Sequence, residues 1–204
     1  MSDSPSLSAS SQALADYWHF FASFLRKPWT VGAVAPSSTH LSRAVLRDCA
    51  LKNARTVVEL GAGTGAITRH IVESIGPRTL FITVELDARH VARLRERHRS
   101  VKVYRASAEN LRALLARHHR KTVDCVISGL PWGNMNRRTQ YRILQEILAV
   151  LKPGGRFCGF GYVHASWYPS SRAFRRMLEQ HFQRVGISRV IWRNLPPAFV
   201  YSCR

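Results

Sequence analysis

Acidic side chains are scarce in this sequence, with 12 Asp and Glu against 31 Lys and Arg and a formal net charge of +19. Such a surface attracts polyanions, so the expected partner is an anionic membrane face or nucleic acid, not a free acidic metabolite. Long apolar runs are also missing. Tyr17 to Leu25, the richest stretch near the start, falls far short of the roughly 20 residues a membrane span requires. No basic region precedes an apolar segment as a secretory leader would need, which leads us to expect a cytosolic chain. The cysteines, Cys49, Cys125, Cys158 and Cys203, are widely spaced and form no C-x-x-C pair. Neither zinc nor a disulfide framework is indicated, and reduced, buried thiols are expected. The histidines show no ligand spacing, and no metal is expected from them. No internal repeat or interdomain linker stands out.

What is present suits one α/β domain, since 204 residues with 46% hydrophobic content can build a core but not two comfortable ones. Its organising stretch is Val57-Val58-Glu59-Leu60-Gly61-Ala62-Gly63-Thr64-Gly65, an apolar strand pattern ending in an acid and alternating glycines. Glycines allow positive φ and close approach of a ligand, and a helical pattern resumes at Ala66. The spacing differs from the dinucleotide fingerprint G-x-G-x-x-G, because position 66 is not glycine. Glu59-x-Gly61-x-Gly63-x-Gly65 instead resembles the first motif of the S-adenosyl-L-methionine (SAM) methyltransferases. Leu80 to Glu85 reads as the neighbouring strand, and Glu85 at its end can accept hydrogen bonds from both hydroxyls of a ribose.

Along the chain, residues 1–11 are serine-rich and read as a disordered lead. Over 12–29 the residues Leu14, Tyr17, Trp18, Phe21, Phe24 and Leu25 fall at helical spacing, closed by Arg26 and Lys27 and stopped by Pro28. Two readings of this helix stand together: a cover packed on the sheet, and an amphipathic segment lying in a bilayer interface through Tyr17, Trp18, Phe21, Phe24, Leu25, Arg26 and Lys27. Residues 30–204 form the remaining domain. Thr30 to Ser38 is a loop of small residues, followed by a helix over 39–49 with Ser37 or Ser38 able to cap it. Asp87 can cap a strongly basic helix running to about Arg99, and Val101 to Ala106 alternates as a third strand. Val123 to Ser128 is a fourth strand, followed by the turn Gly129-Leu130-Pro131-Trp132. A helix over 138–151 leads into a fifth strand over 157–162, and 182–192 with 198–202 can close the sheet as an antiparallel pair. Trp132 and Tyr162, at strand ends, either pack there or offer aromatic faces to a methylated ammonium.

Phe24-Leu25-Arg26-Lys27-Pro28, Thr30-Val31-Gly32-Ala33, Ala35-Pro36-Ser37-Ser38, the Glu59–Gly65 motif, Ser128-Gly129-Leu130-Pro131 and Trp192-Arg193-Asn194-Leu195-Pro196-Pro197-Ala198 together resemble the small bacterial phospholipid N-methyltransferases. These convert phosphatidylethanolamine stepwise to phosphatidylcholine. The resemblance implies a doubly wound, mostly parallel seven-stranded sheet with an N-terminal amphipathic helix, and SAM as cofactor, released as S-adenosyl-L-homocysteine. It implies a peripheral enzyme on the inner face of the membrane, whose partners are an anionic surface and a phospholipid substrate. Ser37, Ser38, Glu59, Gly61, Gly63, Gly65, Glu85, Ala108, Glu109 and Ser128 are the expected cofactor residues. Glu109, with Ser107 and Asn110 as alternatives, would meet the adenine amino group. Trp132 and Tyr162 would position the acceptor, with Tyr162, Ser128 and His164 as candidate proton acceptors. Relatives of the family methylate ornithine lipids. The RNA adenine methylases share the glycine motif and a basic surface, but carry Asn or Asp where Ser128-Gly129 stands here.

Overall fold

The computed structural model describes residues 38–204. The expected lead over 1–11, the amphipathic helix over 12–29 and Ser37 lie outside the described residues. Strands β1 (Thr56–Leu60), β2 (Leu80–Glu85), β3 (Lys102–Arg105), β4 (Val123–Ser128) and β5 (Leu151–Tyr162) pair in parallel. The short β6 (Val185–Ile187) and β7 (Ala198–Cys203) complete the sheet, with β7 antiparallel to both β5 and β6. The order β3-β2-β1-β4-β5-β7-β6 is the doubly wound, mostly parallel seven-stranded sheet that the sequence leads one to expect.

Every residue of β1 is buried, which explains its unbroken apolar run: helices cover both faces of a parallel sheet. The helices are α1 (Thr39–Leu46), α2 (Ala66–Ser74), α3 (Ala88–Arg97), α4 (Leu111–Ala116), α5 (Arg137–Val150) and α6 (Pro169–His181). Asp87 caps α3 by accepting from the N–H groups of Arg89 and His90, while Val91 and Leu94 turn inward and the arginines outward. Asn136 caps α5 by accepting from Thr139 N at 2.9 Å.

Three features depart from the sequence reading. Helices α4 and α6 fall where no helix was expected. Only Val185–Ile187 of the anticipated strand over 182–192 pairs as a strand. Strand β5 begins six residues early, and its register against β4 shifts between Val123 and Cys125, where residues 152–155 of β5 bulge.

At the N-terminal end of β4, Asp124 accepts from Arg55 N and Thr56 N at 2.9 and 2.8 Å and pairs with the Lys152 ammonium. Burial works to raise this carboxyl, but Lys152 and the two N–H groups outweigh it and hold it below the usual carboxylate range. The widely spaced cysteines converge as well. The sulfurs of Cys49, Cys125 and Cys158 all lie within 4.8 Å of one another inside the core. No helix among the described residues is long and apolar enough to cross a membrane.

Candidate cofactor and active site

The chain leaves β1 at Leu60 and turns through Gly61, Gly63 and Gly65, with φ of 74°, 56° and 84°, before entering α2. These are left-handed angles that favour glycine, so the alternating glycines are required by the path of the turn. Gly61 N donates to Val84 O at 2.8 Å and Gly129 N to Leu60 O at 2.8 Å, so the turns after β1 and β4 lie against each other. A Cβ on Gly129 would run into the Gly61 carbonyl oxygen, and one on Gly61 would stand 2.7 Å from Leu130 Cδ2. At Gly63 the added carbon would meet nothing within 4 Å. The turn therefore has a tightly packed side and an open side.

Two carboxylates hold it. Glu59, 1% exposed, accepts from Thr68 Oγ at 2.7 Å and Thr83 Oγ at 2.9 Å, bracing β1 against α2 and β2. Burial raises its carboxyl to about 7, the two hydroxyls pull it down, and the neighbouring Glu85 charge adds to the rise. Glu85, 3% exposed, accepts from Gly63 N at 2.7 Å through Oε2, and from Leu86 N and Asp87 N at 2.7 and 2.9 Å through Oε1. Each carboxylate oxygen has two acceptor sites; Oε1 spends both and Oε2 one, so one site remains on Oε2 for a ribose hydroxyl.

After β3, Ser107 caps a short 3-10 turn over Ala108–Asn110 by accepting from Glu109 N at 3.2 Å. Ala108 is buried. One oxygen of Glu109 pairs with Arg142 on α5 at 2.7 Å; the other, Oε1, is buried with no partner among the described residues. That orphan is an acceptor of the kind an adenine amino group would satisfy. The open side at Gly63, the fixed Glu85 carboxylate and this acceptor fit an adenosyl cofactor.

Trp132 corrects the sequence reading. It is 2% exposed, stacks on Phe174 of α6 at 4.0 Å, meets Phe157 edge-on, and donates from Nε1 to Ser128 Oγ at 3.0 Å. A buried indole committed in this way has no face for a cation, so Trp132 packs the turn and does not position an acceptor. Ser128 Oγ also accepts from Leu130 N at 3.3 Å, so this hydroxyl shapes the same turn. Gln140, fully buried, donates to Trp132 O and Ser170 O, joining α5 and α6 to it. Phe174 on α6 is what fixes Trp132, and no spacing near the turn announces a partner from that distant helix.

Tyr162 ends β5, half-buried, stacked on the exposed His164 at 5.7 Å and edge-on to Phe160 at 5.6 Å. Burial pushes its phenol above the ordinary range. Ser38 is the N-cap of α1, its hydroxyl accepting from Leu41 N at 3.2 Å, so of its two expected uses the capping one is occupied. Its backbone N donates to Asn194 Oδ1 at 2.9 Å. Asn194, 3% exposed, also donates to Pro196 O at 2.7 Å, which ties the loop before β7 to the start of α1.

This fold and site define a class I nucleotide-cofactor protein whose glycine turn and neighbouring acids fit an adenosine, and the comparisons name its chemistry. Residues 57–155 match the family described as "Methyltransferase domain". A curated ornithine lipid N-methyltransferase of Singulisphaera acidiphila is 32% identical over 195 residues, covering 94% of this chain and 97% of that one. Among solved structures, TrmN from Thermus thermophilus superposes with a TM-score of 0.62 at 22% identity; the match covers 84% of this chain and about half of that one, 51%. A putative rRNA methylase from Clostridium thermocellum gives a TM-score of 0.62 at 16% identity, over 84% and 97% of the two chains. At these identities the solved structures speak for the fold alone. The chain belongs to the class I SAM-dependent methyltransferases, and SAM is its cofactor.

Proposed function

We propose that this enzyme transfers methyl groups from SAM, one at a time, to the amine of a membrane aminolipid, with an ornithine-lipid headgroup as acceptor at an anionic bilayer surface facing the cytoplasm. The observation that carries the reading is the likeness to the Singulisphaera enzyme, which runs through 94% of this chain. A likeness confined to the cofactor turns would cover little beyond 57–155. At 94% of the chain this one reaches well beyond those turns. Phosphatidylethanolamine is the second reading, favoured by the Gly32–Ser38 loop and the Trp192–Ala198 phrase. Adenine in RNA is disfavoured by Ser128, whose hydroxyl already accepts from Trp132 and Leu130 N.

The cofactor supplies an electrophilic methyl on sulfur, so the acceptor nitrogen must arrive neutral and in line with that bond. The chain's part is to orient the amine and take its proton. With its phenol raised by burial, Tyr162 stays protonated at neutral pH and serves as a hydrogen-bond partner, not a base. His164, stacked on Tyr162, carries the side chain enzymes use most often as a general base, and we assign it the proton.

The test offers labelled SAM with detergent-dispersed ornithine lipid, phosphatidylethanolamine and bulk RNA in parallel. Label in mono-, di- and trimethylated ornithine lipid is the expected result. Label in phosphatidylethanolamine alone selects the second reading, and label in RNA alone overturns both. His164→Ala should lower kcat about 100-fold; an unchanged kcat would remove His164 from the chemistry.

A further inference from the structure

The largest exposed apolar side chains of the described residues gather at one end of the sheet. Trp167 is 72% exposed, Trp192 74% and Leu195 85%. Trp167 lies in the segment after β5, and Trp192 and Leu195 lie in the loop before β7. Tyr162 pairs with Ala198, Val163 N donates to Pro197 O at 3.0 Å, and Ile191 N donates to Ala198 O at 2.7 Å, so the two segments run side by side. They leave the sheet at the end where parallel β1 and β4 deliver Gly61 and Gly129. The exposed residues therefore stand at the cofactor end of the molecule.

The loop that carries Trp192 and Leu195 is held and not loose. Asn194 between them is buried and spends its amide on Ser38 N and Pro196 O, so its neighbours are directed outward. Soluble proteins seldom leave large apolar side chains together on the surface without a partner for them. Charge indicates which partner. Neither 163–172 nor 186–198 contains an acidic residue, whereas Arg172, Arg189 and Arg193 are all exposed there. Among the described residues no carboxylate pairs with these arginines. Tryptophan settles at the headgroup level of a bilayer, and arginine is drawn to anionic headgroups beside it.

We infer that the paired loops 163–168 and 191–197 are a membrane-docking surface, seating Trp167, Trp192 and Leu195 in the interface of an anionic bilayer with Arg189 and Arg193 on its headgroups. The inference rests on the aminolipid reading and adds a second attachment, separate in sequence from the helix expected over 12–29. It turns the cofactor end of the sheet toward the surface from which a lipid amine must rise.

The experiment measures cosedimentation of the full chain with vesicles of phosphatidylglycerol and phosphatidylcholine, which contain no amine acceptor, so docking is read apart from turnover. The triple variant Trp167→Ser, Trp192→Ser, Leu195→Ser should bind at least about tenfold more weakly. Arg189→Gln with Arg193→Gln should lower binding and reduce its salt dependence. SAM affinity by calorimetry should match the parent in both, which establishes that they fold, as should turnover on detergent-dispersed aminolipid. Equal vesicle binding by parent and triple variant overturns the inference. So does a self-association lost in the triple variant while vesicle binding persists, which would assign the loops to a second copy of the chain. A parent that docks through these loops yet methylates no dispersed aminolipid would leave the surface standing and remove the proposed reaction.

Discussion

The backbone N–H of Gly63 donates to Glu85 Oε2 at 2.7 Å, so the turn after β1 is tethered to the end of β2 by the chain itself. The acid at the second strand end thus has two duties: it fixes the glycine turn, and it keeps one lone pair of Oε2 for a ligand hydroxyl. Charge-assisted bonds of this kind are about twice as strong as neutral ones, which makes the acceptor a rigid one.

The two sides of the turn should respond differently to one added methyl group. Gly63→Ala meets no neighbour within 4 Å and takes only the penalty of a positive φ, about 1–2 kcal/mol. Its carbon occupies the open side, so SAM affinity by calorimetry should fall at least about tenfold while the protein stays folded. Gly129→Ala drives a carbon into the Gly61 carbonyl and should lower melting temperature and affinity together. Undiminished SAM binding by Gly63→Ala would mean the cofactor lies elsewhere.

Glu59 makes stability depend on pH. Its carboxyl is raised to about 7 in the folded chain from an ordinary 4.5, so between those values the folded state holds a proton that the unfolded state has lost. Folding stability is therefore eroded as pH rises from 4.5 to 7, by on the order of 3 kcal/mol in total. Glu59→Gln removes that dependence. The melting temperature of the variant relative to the parent should climb from pH 5 to pH 8; a flat difference would show that Glu59 titrates normally.

Trp132→Ala should act on stability before chemistry. Removing a buried indole stacked on Phe174 opens a cavity, with an expected loss of about 3–5 kcal/mol in denaturant unfolding. Trp132→Phe keeps a ring on Phe174 but gives up the bond to Ser128, for about 1 kcal/mol. The ratio of mono- to dimethylated product should be unchanged in the phenylalanine variant.

Asn194→Ala leaves Ser38 N and Pro196 O without their partner and should destabilise the protein by about 1–3 kcal/mol. Asn194→Asp can still accept from Ser38 but cannot donate to Pro196, so it should fall between parent and alanine. Equal melting of all three would mean the loop is held by other contacts.

The sheet was legible in the sequence wherever a strand met a turn of fixed chemistry. Glu59 and the glycines marked β1 and α2, Val123 to Ser128 marked β4 to the residue, and Asp87 announced α3 as its cap. Helix α6 was not legible, because Tyr168 before it supplies no side-chain cap and its inward face, Phe174, Met177 and Leu178, is diluted by arginines. Its start did carry one readable sign, a proline in the first turn. Of the site, local pattern identified the glycine turn and its acids. Thr68 and Thr83 on Glu59, Asn194 on Ser38, and Phe174 on Trp132 escaped it, because each partner comes from another element and no short spacing encodes the meeting.

The thiol cluster supplies a clock for the middle of the sheet. Cys49 lies just past α1, Cys125 on β4 and Cys158 on β5, all buried, with Cys49 donating to Val45 O at 3.0 Å. Contact with the other two thiols, together with burial, pushes Cys49 above its ordinary range, which slows alkylation further. A reagent can reach these sulfurs only when the helix lifts or the strands part. The rate at which the native protein is labelled therefore reports how often its central strands open, and SAM should lengthen that interval by a factor of about one plus the ratio of its concentration to its Kd.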